Sequence, residues 1–202
     1  MIPTREECIH LMDKFKTPVG VRRHSEIVNR VAVFLAKKLK AADVDIDVDL
    51  VDAASFLHDF VRQLNFYSFE GAKPEETLVW RPLREIYSHM DHADIAAELL
   101  KNKYPRVGMI ISKHGCQAVL NNEPETWEEK VVAYADRRVI HSKITPVEKR
   151  FEDVMIRHEE FYVKSGLDPQ KEKQNILKIE KSIFRKLNFK PDQLTEEMKK
   201  DV

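Results

Sequence analysis

The chain has 202 residues, of which 43% are hydrophobic, so it is long enough for one large domain with its own core and too apolar to be disordered. Its 34 basic side chains are balanced by 34 acidic ones, without the basic excess that is typical of nucleic-acid-binding proteins. No apolar run approaches the ~20 residues of a membrane span, and the two cysteines suit a reducing compartment. We therefore predict a cytoplasmic protein that binds a small molecule and neither nucleic acid nor a membrane.

Helix signals dominate the chain. Only five glycines occur and alternating apolar and polar runs are rare, which favours an all-α fold. Thr4 and Glu7 form a capping box at the start of the first helix, and Thr126 and Glu129 form another further along. Start signals and apolar periodicity predict helices over about 5–16, 21–41, 50–60, 74–87, 90–103, 105–113, 127–139, 147–165 and 169–187.

The domain organisation follows from a sequence without repeats or a dividing linker. We predict one domain over residues 1–190 and a polar C-terminal tail over 191–202. Gly115 is predicted to end the helix over 105–113 as its C-cap. The least regular stretch, 62–88, is rich in aromatic residues, which either stack on a bound base or pack against the core.

Histidine and aspartate recur on apolar helix faces and at helix ends. His24 lies on the buried edge of the second predicted helix, and the doublet His58-Asp59 ends an apolar third helix. The same placement within later apolar stripes is shared by His92, His114 and Asp136. Because these side chains come from five different helices, the pattern indicates a single polar site inside the fold.

Burial makes partners necessary for the two carboxylates. An unpaired buried carboxylate costs several kcal/mol, so Asp59 needs a cation, an arginine or a dense set of hydrogen-bond donors, unless it follows the helix end into water. Asp136 similarly indicates either a metal ligand or an ordinary ion pair with an arginine. A histidine such as His24, taken alone, is more often a core residue whose hydrogen bonds are satisfied. Taken together, His24, His58, Asp59 and Asp136 would satisfy one metal ion, and two further imidazoles would complete a second site that Asp59 bridges.

This ordered set of residues resembles the HD-domain superfamily of metal-dependent phosphohydrolases over about residues 20–155. The resemblance rests on His24, the doublet His58-Asp59 and Asp136. In addition, His92 and His114 are similar to the two extra histidines of the subgroup with a binuclear site. The resemblance implies a single HD-type helical domain with extra N- and C-terminal helices. It also implies a cofactor of divalent transition metal ions, Fe, Mn, Co, Ni or Zn, with two ions favoured over one.

The resemblance further implies a metal-dependent phosphohydrolase that cleaves a phosphomonoester, phosphodiester or nucleotide anhydride by metal-activated water. Its substrate would be a small phosphorylated metabolite or a nucleotide. The implied metal ligands are His24, His58, Asp59, His92, His114 and Asp136. Asp59, as the bridge, and Arg62, at a position where the family often has a basic residue, are the catalytic candidates.

Several cations are candidates for binding the substrate phosphate, and the alternative for them is a solvated surface. They are Arg62, Lys113, Arg137, Arg138 and Lys143. Two alternative functions remain open at this point. One is an HD-type di-iron oxygenase, and the other is a non-catalytic ligand-binding module that contains a metal. The sequence also leaves open a homo-oligomer.

Overall fold

The computed structural model describes residues 1–201, apart from the side chains of residues 158 and 161. The fold is all-α, as predicted. The helices are α1 (Arg5–Lys14), α2 (Val19–Ala41), α3 (Val48–Leu57), α4 (Pro74–Ile86), α5 (His92–Leu100), α6 (Pro105–Ser112), α7 (Cys116–Leu120), α8 (Trp127–Asp136), α9 (Val147–Ser165), α10 (Pro169–Phe184) and α11 (Leu194–Lys200). None of these helices is long and apolar enough to cross a bilayer in the described part of the chain.

Both predicted capping boxes are present. The hydroxyl of Thr4 accepts a hydrogen bond from the Glu7 amide, and the Glu7 carboxylate accepts one from the Thr4 amide at 2.9 Å. Thr126 and Glu129 make the same reciprocal pair at the start of α8. Each box satisfies two amide groups that a helix leaves unpaired at its first turn.

Helices α2, α3 and α8 pack together and form the centre of the core. Helix α3 is buried along most of its length, and its small Ala54 is completely buried. A small side chain lets a neighbouring helix approach closely, so the end of α3 lies deep in the molecule. Helices α5 and α6 pack against each other, and α6 also contacts α3. The end of α3 is therefore surrounded by the elements that carry the predicted histidines.

The structure differs from the prediction at the end of α8, around Gly115 and in the C-terminal segment. Residues Val139–Ile140 (β1) and Lys143–Ile144 (β2) form a short antiparallel hairpin, although the apolar stripe of α8 was predicted to continue to Val139. Two-residue strands are too short to show a period-2 pattern, so the sequence does not reveal them. Gly115 does not end α6 in a left-handed conformation; its φ is −59°, and it precedes α7, which was not predicted.

The predicted polar tail contains α11 and is attached to the domain. Leu194 is completely buried, and Lys38 forms an ion pair with Asp201 at 2.9 Å. The Pro191 carbonyl accepts a hydrogen bond from Arg138 at 3.1 Å. The charged composition of this segment hides the helix from sequence analysis, because only Leu194 and Met198 of α11 pack against the core.

Gly108 marks a close contact between α6 and α5, and replacing it with alanine is expected to destabilise the protein. A Cβ atom at Gly108 would lie 3.1 Å from both the Cα and the carbonyl oxygen of Ala97, so the two helices would have to separate. We expect Gly108→Ala to lower the free energy of unfolding by about 1–3 kcal/mol, as measured by urea denaturation.

Gly20→Ala is the matched control, because nothing lies within 4 Å of a Cβ at Gly20. This substitution in the first turn of α2 is expected to raise the free energy of unfolding by about 0.4–1 kcal/mol, because alanine reduces the conformational entropy of the unfolded chain. Equal stability of the two variants would contradict the tight packing of α5 against α6.

Candidate metal centre

His58 immediately follows α3 and is completely buried. Its Nδ1 atom lies 2.8 Å from the Ser55 carbonyl oxygen, and because a carbonyl only accepts hydrogen bonds, this nitrogen carries the proton. The Nε2 atom of His58 then presents a lone pair, and it has no hydrogen-bond partner among the described residues. A buried lone pair without a donor is what a metal-ligating imidazole offers.

Three groups face one another on one side of His58. The Asp136 Oδ1 atom lies 3.0 Å from Nε2 of His24 and 3.7 Å from Nε2 of His58. The three donor atoms lie within 4.8 Å of one another. His24 also directs its Nδ1 at a carbonyl, that of His141 at 3.0 Å, so its Nε2 is the free acceptor. Ligands bound about 2.1 Å from one metal are typically separated by roughly 3–4 Å, so this group fits a shared ion.

A second group of possible ligands lies around the Oδ1 atom of Asp59. Its Oδ1 atom lies 2.9 Å from Nε2 of His92 and 3.6 Å from Nε2 of His114. The two Nε2 atoms are 3.3 Å apart. Nδ1 of His114 is directed at the Ile111 carbonyl, which again leaves Nε2 as the acceptor. Donor atoms of His58, Asp59 and His114 also lie within 4.8 Å of one another.

Asp59 lies between the two groups. Its Oδ2 atom is 3.6 Å from Nε2 of His58, and its Oδ1 atom faces the histidines of the second group. Burial opposes ionisation of Asp59, but the neighbouring imidazoles of His58 and His92 outweigh it and hold its pKa well below the usual value. Burial likewise opposes ionisation of Asp136, and Arg137 and His24 lower the pKa of that carboxyl group. Two ionised carboxylates among imidazoles form a donor set that suits divalent transition metals.

Arg62 lies at the edge of the second group and is partly buried. Its Nη1 atom is 2.9 Å from Nδ1 and 3.3 Å from Nε2 of His92. Burial alone would lower the pKa of Arg62, but the carboxylates of Asp59 and Asp91 outweigh it, and the pKa is raised. The guanidinium is therefore a permanent cation beside the site.

Asp91 is a residue of the site that the sequence reasoning did not identify. It caps α5 by accepting a hydrogen bond from the Ala93 amide at 3.0 Å, and the same Oδ1 atom is 3.1 Å from Nδ1 of His92. A carboxylate on the far nitrogen of a ligating histidine is a common arrangement in metal sites. The only sequence signal for it is the position of an aspartate directly before the histidine that begins a helix.

The other predicted substrate-binding cations are placed less favourably. Lys113 forms an ion pair with Glu123 at 2.8 Å, and Lys143 is exposed on β2. The guanidinium of Arg138 is buried and donates to the Thr145 carbonyl at 2.6 Å, to the hydroxyl of Tyr134 and to the C-terminal segment. Since its donors are directed at protein acceptors, Arg138 supports the fold, and its binding of substrate stays a prediction.

Arg137 is also directed inward. It donates to the carboxylates of Asp136 and Glu172 and to the His114 carbonyl, the last at 2.9 Å. Its pKa, which burial alone would lower, is raised well above the usual value by Glu172 and Asp136. Its donors are thus directed at Asp136, Glu172 and the His114 backbone, and binding of substrate by Arg137 stays a prediction.

The aromatic residues of the 62–88 segment mainly pack against the protein. The rings of Phe69 and Trp80 lie 5.3 Å apart, and Arg84 lies 4.2 Å from the Phe69 ring centroid. Trp80 is buried and donates from Nε1 to the Phe15 carbonyl at 3.0 Å. Of the two alternatives for these aromatics, packing therefore accounts for this pair, whereas Tyr67 is exposed.

An all-α fold whose helices converge on clusters of imidazoles and carboxylates defines a helical domain with groups that could hold metal ions. Comparison with protein families agrees with this class. The family model described as "HD domain" matches residues 21–139, which is more than half of the chain. The chain therefore belongs to the HD-domain family.

Two curated relatives are similar to the chain. Both are named tRNA (cytidine(56)-2'-O)-methyltransferase, one from Picrophilus torridus and one from Thermoplasma volcanium. The first is 27% identical over 157 residues, covering 71% of this chain and 38% of the relative, and the second is 27% identical over 150 residues, covering 67% and 36%. The chain thus spans less than two fifths of the length of these relatives. No solved structure matches it.

Proposed function

We propose that the protein is a metal-dependent phosphohydrolase that cleaves a phosphomonoester, phosphodiester or nucleotide anhydride in a small phosphorylated metabolite or nucleotide. The observation that carries this proposal is the position of Asp59 between two groups of ligands, with one oxygen facing each group. Membership of the HD-domain family supports a metal-dependent hydrolase in general. The two metal ions and the class of substrate are the specific part of the proposal.

The residues divide into two ligand sets. His24, His58 and Asp136 would hold one cation, His92 and His114 the other, and Asp59 would contribute to both. When bound there, divalent cations would lower the pKa of a water molecule and offset the charge of a phosphoryl group. The chain itself contributes fixed geometry, because at least three of the four imidazoles have their Nδ1 atoms directed at backbone carbonyls. Preorganised donors of this kind need no rearrangement during reaction.

Arg62 is the side chain that we assign to the substrate phosphate. Its guanidinium lies next to His92 and can present two parallel N–H donors to phosphate oxygens. We expect Arg62→Ala to lower kcat/KM at least tenfold, which corresponds to about 1.4 kcal/mol, while metal content stays unchanged. Steady-state kinetics together with metal analysis of the same preparation would measure both quantities.

Lys113→Ala is the matched control, because this cation is paired with Glu123. It is expected to change kcat/KM less than twofold. If Arg62→Ala kept full activity with full metal content, Arg62 would have no role in binding the phosphate, and Lys143 on the exposed hairpin would be the next candidate.

The names of the two relatives introduce RNA as a further substrate class to be tested. Those proteins are named after methylation of tRNA, and more than half of their length has no counterpart in this chain. Methyl transfer is therefore not carried over. The balanced charge of the chain still favours a small substrate, since an RNA-binding surface usually carries a basic excess.

The decisive experiment is metal analysis of protein purified without chelator, followed by activity assays with Mn, Fe, Co, Ni and Zn. The substrates would include phosphomonoesters, phosphodiesters, nucleotides, dinucleoside polyphosphates and a short RNA. Metal-dependent release of phosphate or nucleotide supports the proposal, and cleavage of RNA alone would replace the small substrate. Consumption of oxygen that requires iron and a reductant would instead indicate an oxygenase. Bound metal without turnover on any substrate would indicate a binding module.

A further inference from the structure

We propose that Glu172, on α10, is a positioning residue for the metal centre and acts through Arg137 on Asp136. Glu172 lies outside residues 21–139, the part of the chain that the family model matches. It is only 1% exposed, although an acidic side chain is rarely buried without a specific partner. The inference rests on the proposed function in one respect, namely that Asp136 binds a metal ion.

The contacts of Glu172 use both carboxylate oxygens. Its Oε1 atom accepts hydrogen bonds from Nε and Nη2 of Arg137 at 3.1 and 2.7 Å. Its Oε2 atom accepts one from the hydroxyl of Tyr162 at 2.7 Å. The carboxylate is therefore held by α9 and in turn fixes the guanidinium plane of Arg137.

Arg137 transmits this orientation to the ligands. Its Nη1 atom donates to Oδ2 of Asp136 and, at 2.9 Å, to the carbonyl oxygen of His114. With Oδ2 engaged in this way, Oδ1 of Asp136 is directed at His24, 3.0 Å from its Nε2 atom. One guanidinium thus contacts a carboxylate of the first ligand group and the backbone of a histidine in the second.

Charge provides a second reason for the role of Glu172. Arg137 is a buried cation within hydrogen-bonding distance of a predicted metal ligand, so by itself it would oppose the binding of another cation there. Glu172 neutralises Arg137 from the opposite side. If Glu172 were neutral, Arg137 would be compensated by Asp136 alone, and this carboxylate would be less available to a metal ion.

The chain contains a closely similar triad that does not reach the metal centre. Glu180, also on α10, accepts a hydrogen bond from Tyr134 at 2.6 Å and lies 3.6 Å from Nη1 of Arg138. Arg138 donates to Tyr134, Thr145 and Pro191, and none of these is a predicted ligand. Glu180→Gln therefore changes the same charge on the same helix without changing the support of Asp136.

The test compares Glu172→Gln and Glu180→Gln in the full chain by titration with Co²⁺ after metal removal. Calorimetry gives the dissociation constants, and the visible absorption of bound Co²⁺ reports ligand geometry independently of activity. We expect Glu172→Gln to weaken the binding of one Co²⁺ ion by 10- to 100-fold, the range found when residues that support metal ligands are replaced. The absorption spectrum of that bound Co²⁺ should also change. Glu180→Gln is expected to change the affinity less than twofold and to keep the wild-type spectrum.

The outcomes separate this inference from the proposed function. If the wild-type protein binds no Co²⁺, the metal centre and the proposed function are wrong. If the wild-type protein binds Co²⁺ and Glu172→Gln has the same affinity and spectrum, the positioning role is overturned. Equal weakening by both variants also overturns it, because it would indicate a general loosening of α10. If Glu172→Gln does not fold, Tyr162→Phe, which removes one hydrogen bond to Glu172, should weaken Co²⁺ binding severalfold, and unchanged binding would overturn the inference.

Discussion

Replacing Asp59 with asparagine is expected to lower kcat/KM at least a thousandfold, which corresponds to about 4 kcal/mol of transition-state stabilisation. Asp59 is the one carboxylate among the described residues that faces both ligand groups, with Oδ1 2.9 Å from His92 and Oδ2 3.6 Å from His58. Asparagine has nearly the same shape, but it is neutral, and only one of its two terminal atoms can bind a cation. The variant would therefore lose the shared ligand and keep most of the packing.

Asp52→Asn is the matched control for Asp59→Asn. Asp52 is on α3, the helix that ends just before Asp59, but its carboxylate contacts Arg5 and Asn29, away from the imidazoles. We expect Asp52→Asn to affect stability and to change kcat/KM less than twofold. Kinetics with the activating metal, together with metal analysis, distinguish the two variants. More than one tenth of the wild-type activity in Asp59→Asn would contradict a shared ligand.

Helical periodicity is enough to predict the residues of the candidate centre. The face of a helix on which a residue lies depends on its position in that helix and little on neighbouring elements. His24, His58 and Asp136 interrupt apolar helix faces, and the structure brings their donor atoms within 4.8 Å of one another. A polar side chain on a buried face must meet other polar groups or a cation, since the alternative costs several kcal/mol. The physics of burial therefore predicts convergence before the packing of the helices is known.

The direction of side chains just beyond a helix could not be predicted in this way. Arg137 and Arg138 are neighbours that follow α8 and share one predicted role, yet one contacts Asp136 and the other contacts the C-terminal segment. The partner that fixes Arg137 is Glu172, 35 residues later in the chain. Such pairs depend on how α10 docks on α8, and neither composition nor periodicity contains that information.

Removing divalent metals with a chelator is expected to lower the melting temperature by roughly 8–16 °C. A ligand present at about 1,000 times its Kd stabilises the folded state by about 4 kcal/mol, and each kcal/mol shifts the melting temperature of a chain of this size by about 2–4 °C. The change should be large here because, without a cation, the largely buried carboxylates of Asp59 and Asp136 are compensated only by imidazoles and by the nearby guanidinium groups of Arg62 and Arg137. Differential scanning calorimetry with and without chelator, and after restoring the metal, measures the effect.

The stabilisation by metal is further expected to increase between pH 6 and pH 8. Burial opposes protonation of His58 and His92, but adjacent carboxylates outweigh it and raise the pKa of both in the metal-free protein. A raised pKa in the folded state adds stability below the unfolded value of about 6.5, and this contribution is lost as the pH rises through the folded pKa. Metal binding instead requires unprotonated imidazole, so it strengthens over the same range. Replacing the exposed His89 with alanine should leave this pH dependence unchanged, whereas His58→Gln should flatten it. A metal-induced shift in melting temperature that is constant with pH would contradict imidazole ligands.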